Sequence, residues 1–249
     1  MLMTSTELHD RFLGATYPEL RGRRVLVTGV TAEHGIDIAR AFAEHGARLI
    51  VQINADAGDV AAFGEMLAPV AAELNLHEGA LSTADEIVAF ARRTVALYGG
   101  IDAVINVISL DMGSTATDDI EAIEARISDV LTAPCLVARV AANRMRLMQT
   151  DGLILHVAMM PREANVQART FAAAAKATLT AMTRDDAATC AKDGIRVNAV
   201  APETIGLTLV DRSTNRGLAS EADIAALALF LAAGRGKALT GHVLEAEAA

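Results

Sequence analysis

The 249-residue chain predicts a single α/β domain built on a doubly wound parallel sheet. Three observations carry this expectation. Short aliphatic runs alternate with longer segments of helical period, at the spacing of right-handed strand–helix–strand units. The first apolar run ends in a glycine-bearing turn that opens directly into a helix. Apolar residues make up 52% of the chain, enough for a large core, and neither a low-complexity linker nor an internal repeat divides it.

In chain order, residues 1–22 read as a polar, helical N-terminal arm and 23–249 as the domain. The first strand is 24–27, and a helix follows over 35–45. A second strand covers 48–53, and a weaker third lies near 74–76. Helical period runs over 84–98, then 101–107 is a buried strand. Two long helices span roughly 120–148 and 168–191, separated by a strand at 153–157. A strand at 195–200, a loop and a helix opening at Ser220 complete the order. Ser220-Glu221-Ala222-Asp223 resembles a capping box ahead of an apolar run.

Composition narrows the function classes. Aromatic residues are only 3%, so Ala, Val, Leu and Ile must fill the core. The 22 Lys and Arg against 31 Asp and Glu leave a net charge of -9, which disfavours nucleic acid and anionic membranes as partners. Cys135 and Cys190 have neither metal-ligand spacing nor a disulfide framework, so no metal site is expected. The segment Met1-Leu2-Met3-Thr4-Ser5-Thr6-Glu7 lacks the basic and apolar regions of a signal peptide. No apolar run is long enough to span a bilayer, and the expected location is cytoplasmic.

The turn after the first strand is Thr28-Gly29-Val30-Thr31-Ala32-Glu33-His34-Gly35. A helix N-terminus here offers unpaired N–H donors and a positive dipole end to a phosphate. Gly29, Thr31, Glu33, His34 and Gly35 are therefore candidate cofactor-binding residues. The turn matches, without a gap, the Thr-Gly-x-x-x-Gly-x-Gly motif of the short-chain dehydrogenase/reductase family, which the chain resembles over essentially its whole length. Further matches follow in order: Gly46-Ala47, Tyr98-Gly99-Gly100-Ile101-Asp102, Val130-Leu131-Thr132-Ala133-Pro134, Asp193-Gly194-Ile195-Arg196-Val197-Asn198-Ala199-Val200-Ala201-Pro202 and Thr240-Gly241-His242-Val243-Leu244. The resemblance implies a Rossmann-like fold in three layers, α/β/α, and NAD(P)-dependent oxidoreduction of a carbonyl or alcohol substrate.

The same alignment exposes departures. Glu33 stands where the middle glycine of the turn belongs, and a carboxylate there repels a pyrophosphate. Two readings stay open: an acid stabilising an empty helix end, or an outward-pointing side chain that tolerates cofactor. A second register also stays open, in which 29–36 resembles the longer turn of the family's enoyl reductases, with a shorter helix after it. At the end of the second strand, Ile53 and Asn54 replace the acidic ribose ligand, and Asn54 is left to accept one hydrogen bond. The adenine-side Asp aligns with Ala80. Asn106 survives from the motif after strand four, but its glycine has become Ser109, with Val107 and Ile108 between. Pro202 and Thr204 match the loop that clasps the nicotinamide, with Glu203 in place of a glycine. NAD or NADP is expected in weakened form or not at all.

By resemblance, four positions carry the reaction: a Ser and a Tyr on the carbonyl, a Lys on the ribose and an Asn on a water chain. Here the Ser falls at Met159, the Tyr at Ala172, the Asn at Val130, and only Lys176 is retained. The thirteen residues between Met159 and Ala172 match the family offset. Met159 and Ala172 donate no hydrogen bond and are expected to form one apolar floor. Hydride transfer places negative charge on oxygen that must be bonded and protonated. Losing the acid costs roughly 10²–10⁴ in rate, and losing the oxyanion donor roughly 10²–10³. Lys176, His156 and His34 are the remaining candidates by residue type, and each also reads as structural or solvated. Arg162 and Arg169 flank the cleft as acid-binding or plain surface residues. The expectation is a non-catalytic or severely impaired homologue, a scaffold for an unidentified small molecule or for a homologous active subunit. An atypical NAD(P)-dependent oxidoreductase is the alternative. By the family's habit the chain forms a homodimer or homotetramer through its two long helices, with Ala172–Ala175 and 137–142 as small packing faces.

Overall fold

A computed structural model describes residues 16–54, 57–110, 126–160, 166–201 and 220–245, with side chains from residue 59 in the second block and residue 169 in the fourth. The strands are β1 (Arg24–Val30), β2 (Arg48–Ile53), β3 (Glu73–Glu78), β4 (Ala103–Ser109), β5 (Leu153–Met159), β6 (Arg196–Ala201) and β7 (Val243–Glu245). The helices are α1 (Ile36–Glu44), α2 (Ala57–Leu67), α3 (Ala84–Leu97), α4 (Ala133–Leu147), α5 (Val166–Cys190) and α6 (Glu221–Ala232). All seven strands pair in parallel, in the order β3-β2-β1-β4-β5-β6-β7. The predicted doubly wound sheet is the observed one. The order reverses between β1 and β4, and an open α/β sheet binds its ligand at such a switch point.

Two faces of core follow from the period-two alternation of the strands. Val25 and Val27 of β1, Ile105 of β4 and Leu155 and Val157 of β5 point into the cluster that holds α1 and α6. Leu26, Val104 and Ile154 point the other way, onto α3, α4 and α5. Around the start of α5 that second face continues as a smaller cluster of Ile108, Val130, Ala158, Ala172 and Ala175. Small side chains let α5 lie close to the sheet: Ala172, Ala175, Leu179, Thr183, Ala187 and Cys190 form one buried stripe.

Residues 1–15 lie outside the described residues, but the end of the expected arm belongs to the core. Tyr17 and Leu20 are buried against α1 and α6, and the Gly234 N–H donates to Glu19 Oε1 at 3.1 Å. The start at Ser220 is a true N-cap, its Oγ accepting from the Asp223 N–H at 3.1 Å. Helix α2 has no counterpart among the sequence expectations. Of the predicted helix over 120–148, residues 126–147 are described as helical, interrupted by one π-turn at Ser128–Thr132.

Candidate nucleotide-cleft site

At the switch point the turn after β1 is built on two glycines. Gly29 has φ 74° and lies so close to β4 that a Cβ would collide with the Val107 carbonyl. Gly35 has φ 93° and is the N-cap of α1, so the helix starts directly after the ungapped motif. Between them Thr31 Oγ1 accepts from the N–H groups of His34 at 3.0 Å and Glu33 at 3.3 Å. The Thr31 N–H donates to the His34 carbonyl at 2.8 Å. Glu33 is exposed and its φ is not positive, so the missing glycine strains nothing. It stands before the first helical turn rather than in it. Glu33 is exposed, and no hydrogen bond from its carboxylate to the first turn of α1 is found among the described residues.

The acid at the end of α1 is a different residue. A glycine N-cap supplies no side chain, and the first-turn N–H groups are met from outside. Glu221, the first residue of α6, accepts from the Asp37 N–H at 2.9 Å, and the Gly35 and Ile38 N–H groups also favour its charge. Burial pushes the Glu221 carboxyl up, against the pull of those backbone donors, and the neighbouring Asp37 charge adds to the rise.

Gln52, nowhere singled out by sequence, organises the β2 side of the cleft. It is 2% exposed. Its Oε1 accepts from the Gly29 N–H at 2.7 Å, and its Nε2 donates to the Gly79 carbonyl at 2.8 Å and to Asn54 Oδ1 at 2.5 Å. The two backbone partners fix the orientation of the Gln52 amide, and Gln52 in turn fixes Asn54. Asn54 lines the cleft with its side-chain oxygen already accepting one hydrogen bond, from Gln52.

Asn106 is fully buried. Its Oδ1 accepts from Thr28 Oγ1 at 2.8 Å, while Nδ2 faces the Pro134 carbonyl at 3.4 Å and His156 Nδ1 at 3.3 Å. It ties β1, β4, β5 and α4 together and does not line the cleft. His156 is also fully buried, and burial lowers its pKa to about 4, so the ring is neutral.

At the reaction positions, β5 keeps its alternation to the end. Met159 therefore follows Val157 into the α1/α6 cluster, whereas Ala172 packs with Ala158, Val130 and Ile108 on the other face. The expected common floor of Met159 and Ala172 is split by the sheet. Lys176 Nζ lies 3.1 Å from Glu245 Oε1 of β7, an ion pair the sequence reading did not anticipate. Tyr17 and Tyr98 stand elsewhere; the Tyr98 hydroxyl donates to the Leu49 carbonyl at 3.1 Å. Pro202, Glu203, Thr204 and Arg162 lie outside the described residues, and Arg169 is exposed.

Among the described residues, a shallow open cleft runs over Gly29, Thr31, Asn54, Val107 and Ser109 to the π-turn. There it meets Arg126 and Asp129, which the sequence reading also missed. Arg126 donates to the Ser109 carbonyl at 2.8 Å and lies 3.5 Å from Asp129. Burial pushes the Asp129 carboxyl up, opposed by Arg126. The π-turn turns Val130 into the core and leaves its neighbour Asp129 in the cleft. No group of three His, Cys, Asp or Glu suited to a metal occurs among the described residues, and no described helix is long and apolar enough to cross a membrane.

The small faces expected to meet a second subunit are buried only in part: Ala174 is exposed, and Ala173 and Val140 are half-buried. Ala172 and Ala175 on α5, and Val137, Ala138, Ala141 and Ala142 on α4, are buried within the chain.

Comparison with known proteins agrees with this architecture. A family model described as enoyl-(acyl carrier protein) reductase matches residues 29–248. D-beta-hydroxybutyrate dehydrogenase of Cupriavidus necator is 30% identical over 195 residues, covering 78% of this chain and 74% of that protein. An uncharacterized oxidoreductase of Mycobacterium bovis is 28% identical over 240 residues, covering 91% of this chain and 96% of its own length. A short chain dehydrogenase from Burkholderia cenocepacia in complex with NADP superposes with a TM-score of 0.71 at 21% identity, over 91% of this chain and 97% of that one. A 7 alpha-hydroxysteroid dehydrogenase complexed with NADH and a 7-oxo bile acid gives 0.72 at 20%, over 92% and 94%. At such identities the structural likeness speaks for the fold alone.

Proposed function

Because the chain belongs to the short-chain dehydrogenase/reductase family, we propose that it is a ligand-binding member that no longer performs the family's hydride transfer. The observation that carries this is the fate of the proton-relay positions. Met159 and Ala172 are buried in apolar clusters on opposite faces of the sheet, and Val130 joins the second. None of the three side chains donates a hydrogen bond. Lys176, alone retained, is ion-paired with Glu245.

The described residues do not suit a nicotinamide dinucleotide. At the end of α1, the donors that would receive a diphosphate already hold the Glu221 carboxylate. At the end of β2, Ile53 and a neutral Asn54 stand where the family carries an acid.

The alternative, an atypical oxidoreductase, is favoured by one observation: Asp129 and Arg126 place polar groups in the cleft beside Ser109. Stoichiometric protein incubated with NADPH or NADH and a panel of aldehydes and ketones separates the two. The proposal expects no nucleotide oxidation above buffer. Oxidation abolished by Asp129→Asn would replace it with the alternative.

A further inference from the structure

We infer that Glu221 is a built-in anion at the N-terminus of α1, holding the place of a diphosphate and lowering the affinity for dinucleotides. A helix that follows β1 at a switch point presents its first-turn N–H groups to phosphate, and this works because those donors are otherwise unpaired. In this chain they are met from 184 positions away in the sequence, by a carboxylate that accepts from Asp37 at 2.9 Å. The contact is tied to the fold. Glu221 begins α6, whose start is fixed by the Ser220 cap, and α6 packs on α1 through Ile224, Ala225 and Ala228. Its charge satisfies the positive end of α1, so a diphosphate meets a neutralised dipole and a fixed negative charge instead of free donors.

Glu33 and Asp37 add two more carboxyl groups within the same turn of chain, but only Glu221 takes the helix donors. That difference makes the inference separable from a general acidic environment. It rests on the proposed reading of the site, but the two fail separately: turnover by the wild-type protein removes that reading, whereas this inference is read from the change in NADH affinity between variants.

The test is NADH titration, followed by nucleotide fluorescence, of the wild-type protein, Glu221→Gln and Glu33→Gln at one ionic strength. Glutamine at 221 keeps an oxygen for the Asp37 N–H and removes only the charge. The expected result is about tenfold tighter binding by Glu221→Gln, with a much smaller change for Glu33→Gln. Glu221→Ala, which frees the donors as well, is expected to tighten binding at least as much, and thermal melts identify a variant that has lost its fold. Unchanged or weaker NADH binding by the folded Glu221 variants overturns the inference. Equal tightening by Glu33→Gln also overturns it, since general repulsion then accounts for the effect.

Discussion

His156 makes the folded state sensitive to acid by an amount that follows from its surroundings. The Asn106 amide is oriented by Thr28, whose hydroxyl donates to Oδ1, so Asn106 Nδ2 faces His156 Nδ1. Nδ1 is then the acceptor and Nε2 carries the proton, buried and without a hydrogen-bond partner among the described residues. Charging this ring inside the sheet is costly, and its pKa falls from 6.5 to about 4. The unfolded chain takes up a proton as pH drops below 6.5, while the folded one does not until about pH 4. Stability is therefore complete above pH 6.5 and is lost as pH falls through that window, by about 3 kcal/mol in total. Against a typical domain stability of about 5–15 kcal/mol this is a large fraction. Urea denaturation of wild type and His156→Asn at pH 7 and pH 4.5 isolates the effect, because the carboxylates titrate alike in both proteins. The wild type should lose about 2–3 kcal/mol more than the variant between the two pH values. Identical acid losses would refute a neutral, desolvated His156.

Other perturbations test separate parts of the structure. Asp102 accepts from the Arg24 backbone N–H at 2.9 Å and from its guanidinium at 2.6 and 2.9 Å, joining β1 to the start of β4. Burial raises its pKa, but the Arg24 bonds and charge outweigh that and hold it low. Asp102→Asn should cost about 2–3 kcal/mol in urea denaturation at pH 7, with less loss as pH falls through the lowered pKa of the wild-type carboxylate. Gly29→Ala forces a side chain into a left-handed backbone and the Val107 carbonyl, and should cost about 2–3 kcal/mol, read as a lower Tm. Lys176→Ala removes an ion pair whose Glu245 is half exposed, so it should change stability by less than about 1 kcal/mol.

The sheet was legible because the strands that build it are near-continuous aliphatic runs, and the glycine turn marked where the first crossover begins. Strand β3 was weakly marked because it is an edge strand whose Glu73, Asn75 and Glu78 face solvent. Helix α2 escaped notice because Gly58 and Gly64 dilute its helical signal. The departures from the family's motifs were legible as substitutions, but not their geometry. A one-dimensional alignment placed Met159 beside Ala172, while strand alternation put them on opposite faces. The π-turn is equally silent in sequence, and it exchanges which of Asp129 and Val130 reaches the cleft. Glu221 and Gln52 were invisible for a simpler reason. Each acts through backbone N–H groups that are distant in the chain, 184 and 23 positions away, and no local pattern announces such a contact.

Hydride chemistry in this family requires a bound nucleotide, so titration of the wild-type chain with NADH and NADPH at pH 7, by fluorescence and thermal shift, tests the central claim most directly. The account predicts no saturable binding and no shift below millimolar nucleotide. Micromolar binding of either nucleotide would contradict it and make the atypical oxidoreductase the better reading.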